Sequence, residues 1–243
     1  MKRILKILLN SLIVAFVVGL VYLIVFRTSL FTVKNIIVNG HVEVAYEEIV
    51  NSAGIDIGQN IFSVNSKAVI QNLQGHSWIG DAVVRKEYPN TVNLEIIERK
   101  PLVVLEYASN YLVLDRELIV LEAGANEREL YIINGIAFQN FSIGNEIDVD
   151  DEYILRNTID LIELIEKSHM SFMPMINVGD DSIELKISER MFAKFGSGED
   201  IEKKFNNFLD VYEDLTKNGT DSGLIDLRFK GSPIFKPVYG EEE

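Results

Sequence analysis

Residues 77–101 read SWIGDAVVRKEYPNTVNLEIIERKP. Two strand-like runs, 81–88 and 91–99, flank Pro89-Asn90, a pair suited to a tight turn, so the stretch predicts a β-hairpin. Val92, Leu94 and Ile96 alternate with Asn93, Glu95 and Ile97, which makes one face of the second strand apolar. Such a hairpin needs a second layer to cover that face. The residues before it supply one. Val44, Ile49, Val50 and Ala53 predict a helix over 44–53, stopped by Gly54. Asn65 or Ser66 caps a second helix whose apolar side is Val69, Ile70 and Leu73. Between them the loop 56–60 leads into Ile61-Phe62, read as a buried staple. Residues 31–38, FTVKNIIV, predict a first strand closed by the Asn39-Gly40 turn, and Pro101 closes the unit. The order is β-α-α-β-β, with two helices on one face of a three-stranded sheet.

Further upstream, residues 7–26 read ILLNSLIVAFVVGLVYLIVF, without a charge. At about 1.5 Å per residue a helix of this length matches the roughly 30 Å hydrocarbon core of a bilayer. Lys2, Arg3 and Lys6 precede the run and Arg27 follows it, which orients the N-terminus to the cytoplasm and sends the remainder across. Val21-Tyr22 and Phe26 suit the interfacial aromatic belt at the outer end. A cleaved signal peptide is the competing reading. It predicts a shorter apolar core and a small-x-small cleavage site, and VFRTSLF offers none. An uncleaved anchor is therefore the expectation.

Downstream of Pro101 the pattern changes to short strands, over 102–107, 111–115, 118–121 and 130–133. Asp150 or Asp151 caps a helix reaching Lys167, with Ile154, Thr158, Leu161, Ile162 and Ile165 as its buried stripe. Three strands follow, over 172–178, 182–187 and 191–195, with Gly179-Asp180-Asp181 as a hairpin turn. Residues 199–216 form a helix with Ile201, Phe205, Phe208, Leu209, Tyr212 and Leu215 on one side. Two last strands, 224–229 and 233–238, surround Lys230-Gly231, and 239–243 is an acidic tail.

The formal net charge is −14. Four of the 23 Lys and Arg lie before residue 28 and none of the 37 Asp and Glu do, so the remainder carries −18. Such a surface repels nucleic acid and anionic lipid head groups, so nucleic acid is not expected as a partner. There is no cysteine, so disulfides, thiolate metal sites and cysteine nucleophiles are excluded. His41, His76 and His169 have no second histidine at helical spacing and read as surface or loop-end residues. The acidic groups Asp180-Asp181 and Asp148, Asp150, Asp151 lack the spaced calcium loop and read as a turn and a helix start. Gly196-Ser197-Gly198 is neither a nucleophile elbow nor a phosphate loop, because Lys203 and Lys204 lie too far along. No cofactor, metal or catalytic site is expected.

What remains is strand edge, where unpaired N–H and C=O groups invite a strand from another chain. Residues 224–238 are the best candidate, since Pro233 is tolerated mainly at edges. Arg228 offers a fork-shaped donor to a partner carboxylate, with Phe229 as an apolar anchor. Equally, Arg228 faces solvent and Phe229 belongs to the core.

The segments FTVKNIIVNG (31–40), IFSVN (61–65) and SWIGDAVVRKEYPNTVNLEIIERKPLVVLE (77–106) resemble a POTRA domain of the FtsQ/DivIB bacterial cell-division family. LVLDRELIVLEAG (112–124) is similar to the family's segment just past POTRA, although a glycine frequent in that turn is missing. Residues 224–238 are similar to its closing strands, so the resemblance covers 1–238. It implies an α+β protein: a single N-terminal transmembrane helix (7–26) after a cytoplasmic N-terminus (1–6), a POTRA domain (30–100), and a mixed α/β domain (101–238) with a predominantly antiparallel sheet. It further implies a non-catalytic scaffold of the divisome, on the extracytoplasmic side of the cell membrane at the septum. The implied partners are FtsB- and FtsL-type proteins (DivIC in many Gram-positives), bound by strand addition at Arg228, Phe229, Gly231 and Ser232. Phe229 keeps the family's aromatic without its hydroxyl. Val84 and Lys86 carry over as a recruitment site for other divisome members on the POTRA unit. The alternatives are a POTRA-type envelope assembly or secretion chaperone, and an anchored envelope enzyme.

Overall fold

The structure, a computed structural model, describes residues 2–107, 110–124, 129–168, 170, 173–179 and 182–237. The expectations for His169, Phe172, Asp180, Asp181, Val238 and the tail 239–243 lie outside the described residues. The chain divides into two compact units, Met1–Arg99 and Lys100–Glu243.

The first unit opens with helix α1, Lys2–Arg27. Its stretch Lys6–Arg27 is long and apolar enough to cross a membrane, with a mean hydropathy of 2.7. Leu12 and Phe16 are 69% and 70% exposed, and among the described residues none of the apolar stretch of α1 is fully buried, so it is not a core helix. Residues Ser29–Phe31 then wind into a 3-10 turn. Strand β1 consequently starts later than the sequence predicts, at Asn35–Asn39. Val33, inside the predicted strand, is instead pinned to a loop: its N–H donates to the Gln59 carbonyl and its carbonyl accepts from Gly58, each at 2.8 Å.

Helix α2 is Tyr46–Ala53, buries Ile49 and Ala53, and ends at Gly54 in the left-handed conformation. Helix α3 is Ser66–Gln74, and the Asn65 side chain accepts from the N–H of Lys67 and Ala68 at its start. Between them Ile61 is fully buried while Phe62 is 43% exposed, so only half of the predicted staple enters the core. Strands β2 (Ile79–Glu87) and β3 (Thr91–Glu98) form the expected hairpin. Val92, Leu94 and Ile96 are buried and Ile97 is exposed, as the alternation requires. The sheet order is β1-β3-β2, with β1 parallel to β3. Gly40 is required where the chain leaves β1: its φ is +81° and a Cβ there would lie 2.3 Å from the Ile96 carbonyl oxygen.

The second unit is built on one nine-stranded sheet. Its strands are β4 (Pro101–Tyr107), β5 (Asn110–Asp115), β6 (Val120–Gly124), β7 (Tyr131–Asn134), β8 (Met175–Gly179), β9 (Ser182–Lys186), β10 (Met191–Gly196), β11 (Gly223–Asp226) and β12 (Ile234–Lys236). Helices α4 (Glu152–Ser168) and α5 (Ile201–Lys217) are inserted after β7 and β10. The spatial order is β12-β11-β10-β9-β8-β7-β4-β5-β6. Pairings β4–β7, β7–β8 and β10–β11 are parallel and the others antiparallel. The two helices explain two of the parallel pairs, because a parallel neighbour needs a crossover connection.

Asp151 caps α4, its Oδ1 accepting from the Ile154 N–H at 3.0 Å. The whole stripe Ile154, Thr158, Leu161, Ile162 and Ile165 is buried. From α5, Phe205 and Phe208 enter the same core, where Phe208 meets Phe195 of β10 at 5.9 Å between ring centres. In the β5–β6 turn Leu118 takes φ +64° while fully buried.

Candidate partner-docking edge

Strand β12 is an edge of the large sheet, and among the described residues its three residues pair with β11 alone. Both last strands are shorter than predicted. β11 stops at Asp226 rather than 229, and β12 begins at Ile234, directly after Pro233. The reason lies in Asp226, whose side chain is fully buried. A buried carboxylate must find donors. It accepts from Arg228 Nε at 2.9 Å and Nη2 at 2.7 Å, and Lys236 Nζ on β12 lies 3.5 Å away. The Leu227 N–H still donates to the Lys194 carbonyl of β10 at 2.8 Å, and beyond it Arg228 folds back two residues onto Asp226. The Arg228 guanidinium holds the Asp226 carboxyl down from 3.8 to about 2, against the opposing effect of burial.

Arg228 therefore sits in the loop between the strands, not on a strand, with its fork turned toward Asp226. Its guanidinium carbon lies 5.5 Å from the centre of the Phe229 ring. Phe229 is 64% exposed, which decides against the core reading for that side chain. Gly231 and Ser232 continue the same exposed loop. Lys230 reaches across to the start of α5 and pairs with Glu199 at 2.9 Å. Between that helix start and the loop lies a pocket of about 100 Å³, lined by Lys203, Lys204, Asn207, Leu227, Phe229 and Pro233 among others. Burial pushes the Lys204 ammonium down, and its Nζ donates to the Phe195 carbonyl at 2.7 Å. The pocket thus offers apolar surface beside amines.

The edge strand itself is held by shape. Phe235 lies opposite Ile225 in the register, on the helix-covered face, and its ring lies over Gly223. Ile234 and Lys236 point to the other face and are exposed. From the sequence, Asp226 stood out only as the acid of a closing hydrophobic-Asp-hydrophobic piece, without its pairing to Arg228, and Gly223 was not singled out. The signal for Asp226 was present as the spacing Asp-x-Arg at the end of an apolar run.

Val84 and Lys86 lie on β2, an edge of the small sheet. They oppose Leu94 and Val92, so they share the helix-covered face and are half-buried, whereas Val83, Arg85 and Glu87 on the other face are exposed. Val84 and Lys86 belong to the first unit and the Arg228 loop to the second.

His41 and His76 are engaged in loop contacts: His41 Nδ1 is 3.0 Å from the Val44 carbonyl, and His76 Nε2 is 3.0 Å from Glu48 Oε1. Among the described residues no group of three or more His, Asp or Glu is arranged to hold a metal ion.

Residues 31–99 match the family model described as POTRA domain, FtsQ-type. Cell division protein DivIB of Clostridium botulinum (strain Hall) is 24% identical over 237 residues, covering 96% of this chain and 91% of its own. DivIB of Clostridium tetani is 26% identical over 215 residues, covering 86% and 80%. Cell division protein FtsQ of Geotalea daltonii is 23% identical over 240 residues, covering 90% and 80%. With its β-α-α-β-β unit matched by the FtsQ-type model, the chain carries an FtsQ-type POTRA domain and is similar over most of its length to cell division proteins named DivIB and FtsQ.

Proposed function

We propose that the chain is a non-catalytic scaffold of the bacterial division machinery, held in the cell membrane by α1 with both units on the extracytoplasmic side. Support for the anchor comes from the apolar length of α1, its unburied surface, and the excess of Lys and Arg before it. The division role rests on the similarity to proteins named for cell division. FtsB- and FtsL-type partners, or DivIC, add a strand to β12 while an apolar side chain packs beside Phe229. The observation that carries this reading is the position of β12 at the sheet edge, with the exposed Phe229 and the pocket beside it. Main-chain hydrogen bonds supply affinity and the pocket supplies specificity. Confinement of both partners to one membrane raises their effective concentration, so a weak contact suffices. Val84 and Lys86 serve a second contact, with other divisome members, on the POTRA unit.

A pull-down from membranes tests the docking edge. Truncation before β11 would remove Ile225 and Leu227 from the core and confuse binding with folding. The better variants are Phe229→Ala and Ile234→Asp, both at exposed positions. Loss of the FtsB/FtsL-type proteins with unchanged circular dichroism supports the docking edge. Full retention by both variants rejects it.

A further inference from the structure

Three stretches far apart in sequence converge on the end of α1. Phe31 belongs to the 3-10 turn after the helix, Phe62 to the turn between α2 and α3, and Tyr88 to the β2–β3 turn. Their rings form one row: Phe31 to Phe62 is 5.4 Å between centres, and Phe62 to Tyr88 is 5.1 Å, stacked. Phe62 and Tyr88 remain 43% and 57% exposed, and Leu30, which precedes Phe31 in the chain, is 50% exposed. Ring stacking accounts for their contact with one another, but not for a contiguous apolar patch left facing water.

The height of this row along α1 is fixed by a hydrogen bond. The Asn60 side chain donates to the Val25 carbonyl at 2.6 Å, occupying one of the carbonyls a helix leaves free at its C-terminus. The residue beside Asn60 on the turn is Ile61, and Phe62 follows it; the Phe62 N–H donates to Asn60 Oδ1 at 2.9 Å. Thr32 bridges to Asn60 from the other side. The aromatic row is therefore tied to the last turn of a 20-residue apolar run. If that run fills the roughly 30 Å hydrocarbon core, the row falls at the headgroup level, where aromatic side chains concentrate. Arg27 and Lys34, both exposed, flank it and suit lipid phosphates.

We infer that Phe31, Phe62 and Tyr88, with Leu30, form a lipid-headgroup contact that seats the POTRA unit on the outer surface of the membrane. The occupant is the bilayer itself. Continuity with α1 favours lipid over a protein partner, because the patch begins where the spanning helix ends. The contact rests on the reading of α1 as a membrane span and adds a second, peripheral attachment to it. Its effect is to restrict the swing of the unit about its tether.

The absence of cysteine makes the test direct. The full chain is placed in nanodiscs of phosphatidylcholine and phosphatidylglycerol, carrying a single nitroxide at Ser63→Cys, Gln71→Cys or Leu12→Cys. Accessibility to oxygen and to a water-soluble nickel chelate is read by electron paramagnetic resonance. The expected result is a hydrocarbon value for Leu12, an aqueous value for Gln71, and a value for Ser63 shifted from the Gln71 level toward lipid. The double variant Phe62→Ser, Tyr88→Ser should return the Ser63 label to the Gln71 value. A Ser63 label matching Gln71 in the unmodified background, with Leu12 in hydrocarbon, overturns the headgroup contact while the span stands. A Leu12 label in water overturns both.

Discussion

The Glu98 carboxylate at the end of β3 accepts the Val44 N–H at 2.9 Å, and it accepts those of Val42 and Glu43 as well, at 3.0 Å each. One side chain thus organises the whole connection between β1 and α2. Burial pushes the Glu98 carboxyl up, but the three backbone donors outweigh it and the net direction is down.

Replacement Glu98→Ala leaves these N–H groups without their acceptor. The expected cost is about 2 kcal/mol, the size of hydrogen bonds to a charged group. Amide exchange checks it locally: protection at residues 42–44 should fall well before that of β3. Since the folded-state value is depressed, the contribution is complete above the usual glutamate range and fades as pH falls through the lower folded value. Acid should therefore loosen this loop, and Glu98→Ala should remove that sensitivity.

Asp226 makes the corresponding case in the second unit. Its carboxyl, lowered to about 2, contributes stability that is complete above the ordinary value of 3.8 and is lost as pH drops toward 2. Asp226→Ala should cost about 2 kcal/mol and free both Arg228 and Lys236. Urea titration at pH 7 and at pH 3 checks this. The gap between native and variant should be widest at pH 7.

Leu118 holds a left-handed backbone at full burial. Such a conformation costs a non-glycine residue roughly 1–2 kcal/mol. Deleting a buried leucine side chain costs about 2–5 kcal/mol. The second term wins, so Leu118→Gly should destabilise the unit by about 2 kcal/mol despite relieving the backbone. A raised denaturation midpoint in the variant would refute this ordering.

Gly223 has φ +147°, and a Cβ there would lie 2.4 Å and 2.5 Å from Phe235 ring carbons and 2.9 Å from the Lys236 carbonyl oxygen. Gly223→Ala should displace β12 and leave the rest of the sheet folded. Exchange at 234–236 should rise selectively, and capture of division partners should fall with it. Retained partner capture with a displaced β12 would separate binding from the edge strand.

The helices were legible because their apolar stripes repeat over several turns, as in Ile154 to Ile165 and Ile201 to Leu215. The β2–β3 hairpin was legible because Pro89-Asn90 separates two alternating runs. Strand ends were not, since side-chain contacts decide them: Asp226 turns to Arg228, and Val33 is held by Gln59. The order of the nine strands was hidden too. Parallel pairs such as β1–β3 and β10–β11 join segments that no local pattern connects. At the candidate edge, residue types announced an exposed terminal strand, but not that Arg228 would turn inward while Phe229 stayed out.

Strand β4 brings the chain into the second unit, and β12 lies six interstrand steps from it. At about 4.8 Å per step the two are roughly 29 Å apart across the sheet. A load applied at β12 and resisted through β4 therefore runs across the strands, in line with the ladder hydrogen bonds. That geometry peels strands one at a time instead of shearing many bonds together. The three-residue β12 is the first to yield, so a grip on this edge releases under tension before the core is deformed, like a mechanical fuse.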